Sequence, residues 1–317
     1  MDKKLCWVLT GPTASGKTAL SIRLAKTYDC EIVCMDSMQI YRGMNIGTAK
    51  PTAEEMDGVP HHMLDVAAPD EAFSVARYQE MAESCIADIH SRGKRALLVG
   101  GTGLYLRALR QPMAMGDVSA DEAVRAELEG IAAQEGGRQR IHDMLEAVDP
   151  QTAARLHLND VRRAVRALEV YRLTGVPFSQ QPQIQTDSRY EYRVATLTMD
   201  RATLYARIEK RIDIMMQQGL VEEIRGLLDS GVPADAQAMK AIGYKELIPY
   251  ILGQCTLEQA DCLLKLNTRH YAKRQLTWMR REEDVLWVDS LSPEAYDTLE
   301  NWYVHGVAPC TDEGESK

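Results

Sequence analysis

The sequence predicts an α/β fold, a parallel sheet with flanking helices that carries an inserted all-helical segment. Two observations predict it. Short apolar runs that end in glycine-bearing turns and open into helices occur at the start of the chain and again near residue 96. Between residues 111 and 193, in contrast, helix formers dominate and no strand pattern appears. The 317 residues are enough for one large core with an insertion.

Residues 5–10 form the first expected strand, 11–18 a glycine turn, and 19–28 a helix with Leu20, Leu24 and Ala25 at helical spacing. A second strand, 31–35, ends at Asp36. Residues 75–90 carry Val75, Tyr78, Met81, Ala82, Cys85, Ile86 and Ile89 on one helical face. Strand 96–99 runs into Gly100, Gly101 and Gly103 and then a helix. Helices are expected at 121–133, 138–147 and 160–173, the last stopped by Gly175 and Pro177. Strands 194–199 and 285–288 and helices 201–217, 219–229, 240–252 and 256–281 follow. The expected organisation is a core at 1–112 and 191–308, a helical insertion at 113–190 and a disordered tail at 309–317.

Composition excludes several classes. Apolar residues make up 45% and charged residues 26%, an ordinary globular balance that argues against wholesale disorder. Seven cysteines include no C-x-x-C pair, which argues against a zinc ribbon, a thioredoxin-type site and a disulfide scaffold. The apolar run before Gly11 is too short for a signal peptide or a membrane span, so a cytoplasmic protein with no membrane partner is expected. The net charge of −9 resides in residues 282–317, with ten acids against one base; residues 1–281 are neutral. That acidic end reads as solvated and solubilising. Bases concentrate at 151–180, with five arginines against two acids, and at 265–281, with six bases and no acid. A local basic stripe, rather than the total, decides contact with phosphates.

The strongest motif is Gly11-Pro12-Thr13-Ala14-Ser15-Gly16-Lys17-Thr18, which fits G-x-x-x-x-G-K-[ST] between a strand and a helix. Backbone N–H groups and the helix N-terminus form an anion site there, Lys17 adds a charge, and the Thr18 hydroxyl suits Mg²⁺ on a diphosphate or triphosphate. The fold is therefore expected to be P-loop NTPase-like. Asp36 should reach the same rim, since ligands bind outside the carboxyl ends of parallel strands, and suits a general base or a metal ligand. Ser37 and Gln39 offer groups for a purine edge. No Asp closes strand 96–99, unlike nucleotide-hydrolysing relatives of the loop. Arg162, Arg163 and Arg166 share a helix, and the 265–281 stripe interleaves bases with His270, Tyr271 and Trp278, a pattern suited to RNA backbone and base stacking. His61, His62 and the other histidines have no metal-ligand spacing and read as structural.

Taken together, these segments resemble the bacterial tRNA dimethylallyltransferases, or tRNA isopentenyltransferases. The resemblance covers residues 5–288 and rests on GPTASGKT at 11–18, DSMQIYRGMNIGTAKP at 36–51, HHMLDV at 61–66, VGGTGLY at 99–105, NDVRRAVRALEVY at 159–171, AIGYKEL at 241–247 and NTRHYAKRQLTWMR at 267–280. It implies transfer of a prenyl group from dimethylallyl diphosphate to N6 of the adenosine 3′ to the anticodon, with Mg²⁺. It also implies a helical insertion that grips the anticodon stem-loop. Residues 11–18 would hold the diphosphate, with Lys17 and Thr18 catalytic and Thr18 on the metal. Asp36 would take the amine proton, and Asp36, Ser37, Met38, Gln39 and Thr102 would meet the target adenosine, Thr102 also in catalysis. Arg125, the stretch Arg162, Arg163, Ala164, Val165, Arg166, and Lys240, Ala241, Ile242, Gly243, Tyr244, Lys245 match further tRNA-contacting positions. The family's eukaryotic forms with a C-terminal zinc finger differ from this sequence, which has none; a monomer is expected. Two other classes fit the loop alone: a small-molecule enzyme, such as a kinase or a prenyltransferase of free AMP, and a non-catalytic RNA-binding protein. The first leaves the basic stripes unused, and the second leaves Lys17, Thr18 and Asp36 unused.

Overall fold

The computed structural model describes residues 3–111, 121–181 and 188–308. The expected tail at 309–317 and the expected junction at 112–113 lie outside them. Contacts divide the chain into two compact units, residues 1–110 with 188–317, and residues 111–187.

The first unit is built on β1 (Lys4–Thr10), β2 (Cys30–Cys34), β3 (His61–His62), β4 (Arg95–Val99), β5 (Tyr190–Thr198) and β6 (Val285–Asp289). They pair in the order β3-β2-β4-β1-β5-β6, every pair parallel. Cys6, Trp7, Val8 and Leu9 of β1 are all buried, as a central parallel strand covered on both faces requires. Alternation assigns them to opposite faces. Cys6 and Val8 join a core with Val33, Leu98 and Val194, whereas Trp7 and Leu9 join one with Ile32, Leu97 and Leu197.

Along the chain, α1 (Lys17–Tyr28), α2 (Ala53–Met56), α3 (Val75–Ser91) and α4 (Gly103–Arg110) precede the second unit. That unit holds α5 (Glu122–Ala133), α6 (Gly137–Val148), α7 (Pro150–Ala153) and α8 (Val161–Thr174), and no strand among its described residues. Its core packs Leu128, Ile141, Leu145, Val165 and Leu168. Asp121 caps α5 through the N–H groups of Ala123 and Val124, and Gly175, at φ 71°, ends α8. The first unit then resumes with α9 (Arg201–Gln217), α10 (Leu220–Asp229), α11 (Tyr244–Ile251), α12 (Leu257–Met279) and α13 (Ala295–His305). No helix among the described residues is long and apolar enough to cross a membrane.

Several elements depart from the sequence expectation. β5 begins at Tyr190 rather than 194, the first unit resumes at 188 rather than 191, and the helix expected from 240 begins at Tyr244. The short helices α2 and α7, together with β3 and α13, are additions to it. β3 is only two residues long, too short to show periodicity, yet it extends the sheet beside β2. Its histidines both have protein partners: His62 Nε2 lies 2.8 Å from Glu31, and His61 Nδ1 lies 2.8 Å from Val59 O. The acid-rich end is not simply a solvated tail. Within it, α13 buries Tyr296, Leu299 and Tyr303, and Tyr303 stacks on Trp7 at 5.0 Å and donates to Val8 O at 2.6 Å. Net charge concealed a helix whose apolar residues recur at i, i+3 and i+7.

Candidate active site

The turn after β1 is shaped by backbone that side chains resist. Gly11 has φ 146°, and a Cβ there would stand 2.8 Å from Leu197 O; Ala14 and Gly16 have φ 63° and 89°. Gly16 caps α1 without any side-chain bond, so the helix opens with unspent N–H groups and their positive dipole end. Lys17 Nζ folds across the turn to donate to Gly11 O at 3.0 Å and Pro12 O at 2.7 Å. Burial and the nearby Arg211 push this lysine down to about 8, with Asp36 and Cys34 opposing them. Ser15 Oγ is buried without a hydrogen-bond partner among the described residues.

The turn after β2 presents Asp36. Its Oδ1 accepts the N–H of Met38 at 2.8 Å and of Gln39 at 3.4 Å, which orients the carboxyl and leaves Oδ2 with no protein donor among the described residues. Thr102, in the turn after β4, accepts Ser37 N–H at 3.0 Å. Burial raises the Tyr271 phenol well above its usual range. Gln39 spends its carboxamide inside the protein: Nε2 donates to Thr48 O and Ala49 O at 3.1 Å, and Oε1 accepts Cys34 Sγ–H at 3.2 Å. In this arrangement it braces the wall, and its hydrogen-bonding edge is not open to a purine.

Both turns face one cavity of about 1020 Å³, lined by Thr13 to Thr18, Asp36 to Gln39, Lys240 to Gly243, and Lys245. Gly11, Pro12, Thr102 and Tyr244 do not line it. Arg207, Lys210 and Arg211 of α9 add positive charge to it, and Arg207 Nε donates to Ala14 O at 2.9 Å. Burial lowers Arg211, a cost that the charges of Glu55 and Asp36 offset in part. Sequence reasoning missed these three residues. Their i, i+3, i+4 spacing was the available signal, and it matches a solvated helix face equally well. The oxygen donors Thr18, Ser37 and Asp36 on this wall suit a hard divalent cation that keeps most of its water and binds mainly through a phosphate.

Several expected tRNA contacts have other duties. Tyr244 is fully buried and donates to Glu223 Oε1 at 2.5 Å, so its ring and hydroxyl serve packing. Ala241 is buried as well, although it still borders the cavity; Lys240 and Lys245 are exposed. In the second unit, Ala164 and Val165 are buried in the helical core, while Arg162 and Arg163 of the same stretch are exposed and Arg166 is half-buried. Arg125 and Arg166 hold the fully buried Glu169, each with a contact of 2.8 Å. Arg162 and Arg163 are exposed, and Arg163 pairs with Asp160. In the 265–281 stripe, Lys265 pairs with Asp213 and Asp261, and Arg269 with Glu209. His270, Lys273, Arg274, Trp278 and Arg281 form a shallow basic face.

The parallel sheet and its glycine-lysine turn define a P-loop-fold α/β protein. Residues 39–282 match the family described as IPP transferase. The chain is 47% identical over 309 residues to tRNA dimethylallyltransferase 2 of Geotalea uraniireducens, covering 97% of this chain and 98% of that protein. It is 50% identical to the tRNA dimethylallyltransferase of Geobacillus thermodenitrificans, covering 91% of each. The structure of the tRNA isopentenylpyrophosphate transferase from Bacillus halodurans is similar with a TM-score of 0.67 at 48% identity, over 91% of this chain and 90% of that one. A eukaryotic dimethylallyltransferase acting on tRNA gives 0.80 at 28% identity, over 98% and 81%. The chain belongs to the IPP transferase family, and with it to the prenyltransferases.

Proposed function

We propose that this cavity transfers a dimethylallyl group from dimethylallyl diphosphate to N6 of adenosine 37, 3′ to the tRNA anticodon, giving N6-isopentenyladenosine. The observation that carries the reading is the shared cavity: an anion-binding turn with Lys17, Arg207 and Arg211 lies on the same wall system as an oriented carboxylate, Asp36. Relatives named tRNA dimethylallyltransferase cover 97% and 91% of the chain, which supports transfer of a dimethylallyl group to tRNA.

The diphosphate would sit on residues 11–18. N6 attacks C1 of the donor, the C1–O bond breaks, and diphosphate leaves with the negative charge that Lys17, Arg207 and Arg211 stabilise. The amine loses its proton to Asp36 Oδ2, the oxygen that Met38 and Gln39 leave open. Mg²⁺ bound at Thr18 would supply further neutralisation of the leaving diphosphate. Thr102 holds the Asp36 turn in place through Ser37. The target base has to leave its stack to enter the cavity. Ser37, Met38 and the 240–245 stretch would receive it, while the helical insertion with Arg162 and Arg163 grips the anticodon stem. The protein would act in the cytoplasm as a monomer.

Incubation with labelled dimethylallyl diphosphate, Mg²⁺ and unmodified tRNA, followed by nucleoside analysis, tests this. Label in N6-isopentenyladenosine at position 37 is the expected result. Label in AMP instead of tRNA, or ATP-dependent phosphorylation with an inert prenyl donor, overturns it.

A further inference from the structure

Gln275 lies on α12 with only 7% of its surface exposed, a position where a carboxamide needs both ends bonded. Both are. Oε1 accepts Thr13 N–H at 3.0 Å, and Nε2 donates to Gly101 O at 3.2 Å. The fit is close: a Cβ on Gly101 would stand 2.1 Å from that nitrogen. Thr13 belongs to the phosphate turn. Gly101 precedes Thr102, which donates through its N–H to Met35 O at 3.2 Å and accepts Ser37 N–H at 3.0 Å. Thr102 therefore holds the two neighbours of Asp36. One side chain ties the donor turn to the 100–102 turn, across 262 residues of sequence on one side and 174 on the other, and Thr102 carries the link on to the residues that flank Asp36.

We propose that Gln275 is a positioning residue that sets the distance between the donor's C1 and the Asp36 carboxylate. The inference rests on the reaction proposed above. Transfer needs reacting atoms held about 3–3.5 Å apart, and a misplacement of about 1 Å costs about 10²-fold in rate. β1 and β4 are paired neighbours, and Gly100 N–H donates to Leu9 O at 3.2 Å, so the sheet fixes only the roots of the two turns; beyond those roots Gln275 joins Thr13 to Gly101. The bridge is also directional: it needs an acceptor facing Thr13 and a donor facing Gly101. A carboxylate of the same shape would set a negative oxygen against the Gly101 carbonyl.

The test compares single-turnover transfer by wild type, Gln275→Ala and Gln275→Glu across pH. Gln275→Ala should lower the rate constant by about 10–10²-fold, with a much smaller change in KM for the donor. In Gln275→Glu a neutral carboxyl can donate to Gly101 O, and burial should keep it neutral above the ordinary carboxylate range. The rate of that variant relative to wild type should approach one near pH 5 and fall steadily as pH rises. The ratio is read within one folded preparation, so loss of folded protein leaves it flat. A flat ratio, or an alanine variant with the wild-type rate constant, overturns the proposal. Absence of transfer by wild type itself refutes the reaction instead, which keeps the two failures apart.

Discussion

The Tyr244 hydroxyl donates to Glu223 at 2.5 Å, and the same carboxylate accepts three successive backbone N–H groups, from Asn45 and Ile46 at 2.8 Å and Gly47 at 3.1 Å. The Tyr244 ring packs so closely on Gly47 that a Cβ there would lie 2.5 Å away. This arrangement fixes the 47–49 wall of the cavity, whose carbonyls hold Gln39.

Removing the two partners should therefore have unequal effects. Glu223→Ala leaves three N–H groups and a buried hydroxyl unpaired and should cost about 1–3 kcal/mol. Tyr244→Phe removes one bond and should cost about 0.5–1.5 kcal/mol. Urea unfolding with m-values compared gives both numbers; equal losses would refute the ranking.

Lys17 sets a pH limit on donor binding. Burial and Arg211 push it down to about 8, so it carries its charge below that pH and loses it above. Affinity of the free enzyme for dimethylallyl diphosphate should fall as pH rises through about 8. Calorimetric titration of the donor at several pH values checks this, and affinity constant from pH 7 to 9.5 would contradict it.

Asp36 and Thr18 should separate kinetically. Asp36→Ala should lower the single-turnover rate about 10²–10⁴-fold while tRNA affinity holds, the usual contribution of a placed general base. Thr18→Ala should instead raise the Mg²⁺ concentration needed for half-maximal rate. A fully active Asp36→Ala enzyme would remove the base assignment.

These residues differ in how far sequence alone could place them. Gly11, Gly16, Lys17 and Thr18 are neighbours in one motif, and Asp36 ends a recognisable strand, so local pattern and fold rules put them on one rim. Helices such as α3, α8 and α9 announce themselves by apolar spacing. Arg207, Arg211, Gln275 and Glu223 do not. Each is a polar residue on an amphipathic helix, and only the packing of α9, α10 and α12 shows which of them face the cavity rather than water. The roles of Tyr244, Ala164 and Val165 were obscured for the converse reason, since membership in a motif does not reveal which way a side chain points.

Glu31 links the sheet edge to acid stability. Arg92, at 2.7 Å, is the main cause that holds this buried carboxyl down to about 2, with His62 and Lys94 adding to it. A folded value below the ordinary 4.5 contributes stability that is complete above pH 4.5 and is lost as pH falls toward 2. Glu31→Gln should melt at a lower temperature at pH 6 and show a shallower decline between pH 4.5 and 2. A parallel decline in both proteins would reject the assignment.

The arginines of the helical insertion should divide into two groups. Arg125 and Arg166 hold the fully buried Glu169, whereas Arg162 and Arg163 are exposed on the same unit. Removing Arg125 withdraws a partner from a buried carboxylate. Because its guanidinium is about one-third exposed, the loss should be about 1–3 kcal/mol, below that of a fully enclosed pair. The double variant Arg162→Ala, Arg163→Ala loses a solvent-screened pair with Asp160 and should fold normally. If those two side chains meet the RNA backbone, each lost phosphate contact should flatten the log–log salt dependence of tRNA binding by about 0.7–0.9. Donor binding should stay unchanged, since the phosphate turn belongs to the other unit. Filter binding of tRNA from low to moderate salt, with melting curves on the same samples, separates the two groups. An unchanged salt slope in the double variant would remove Arg162 and Arg163 from the RNA contact and leave the basic face of Lys273, Arg274 and Arg281 as the place to look.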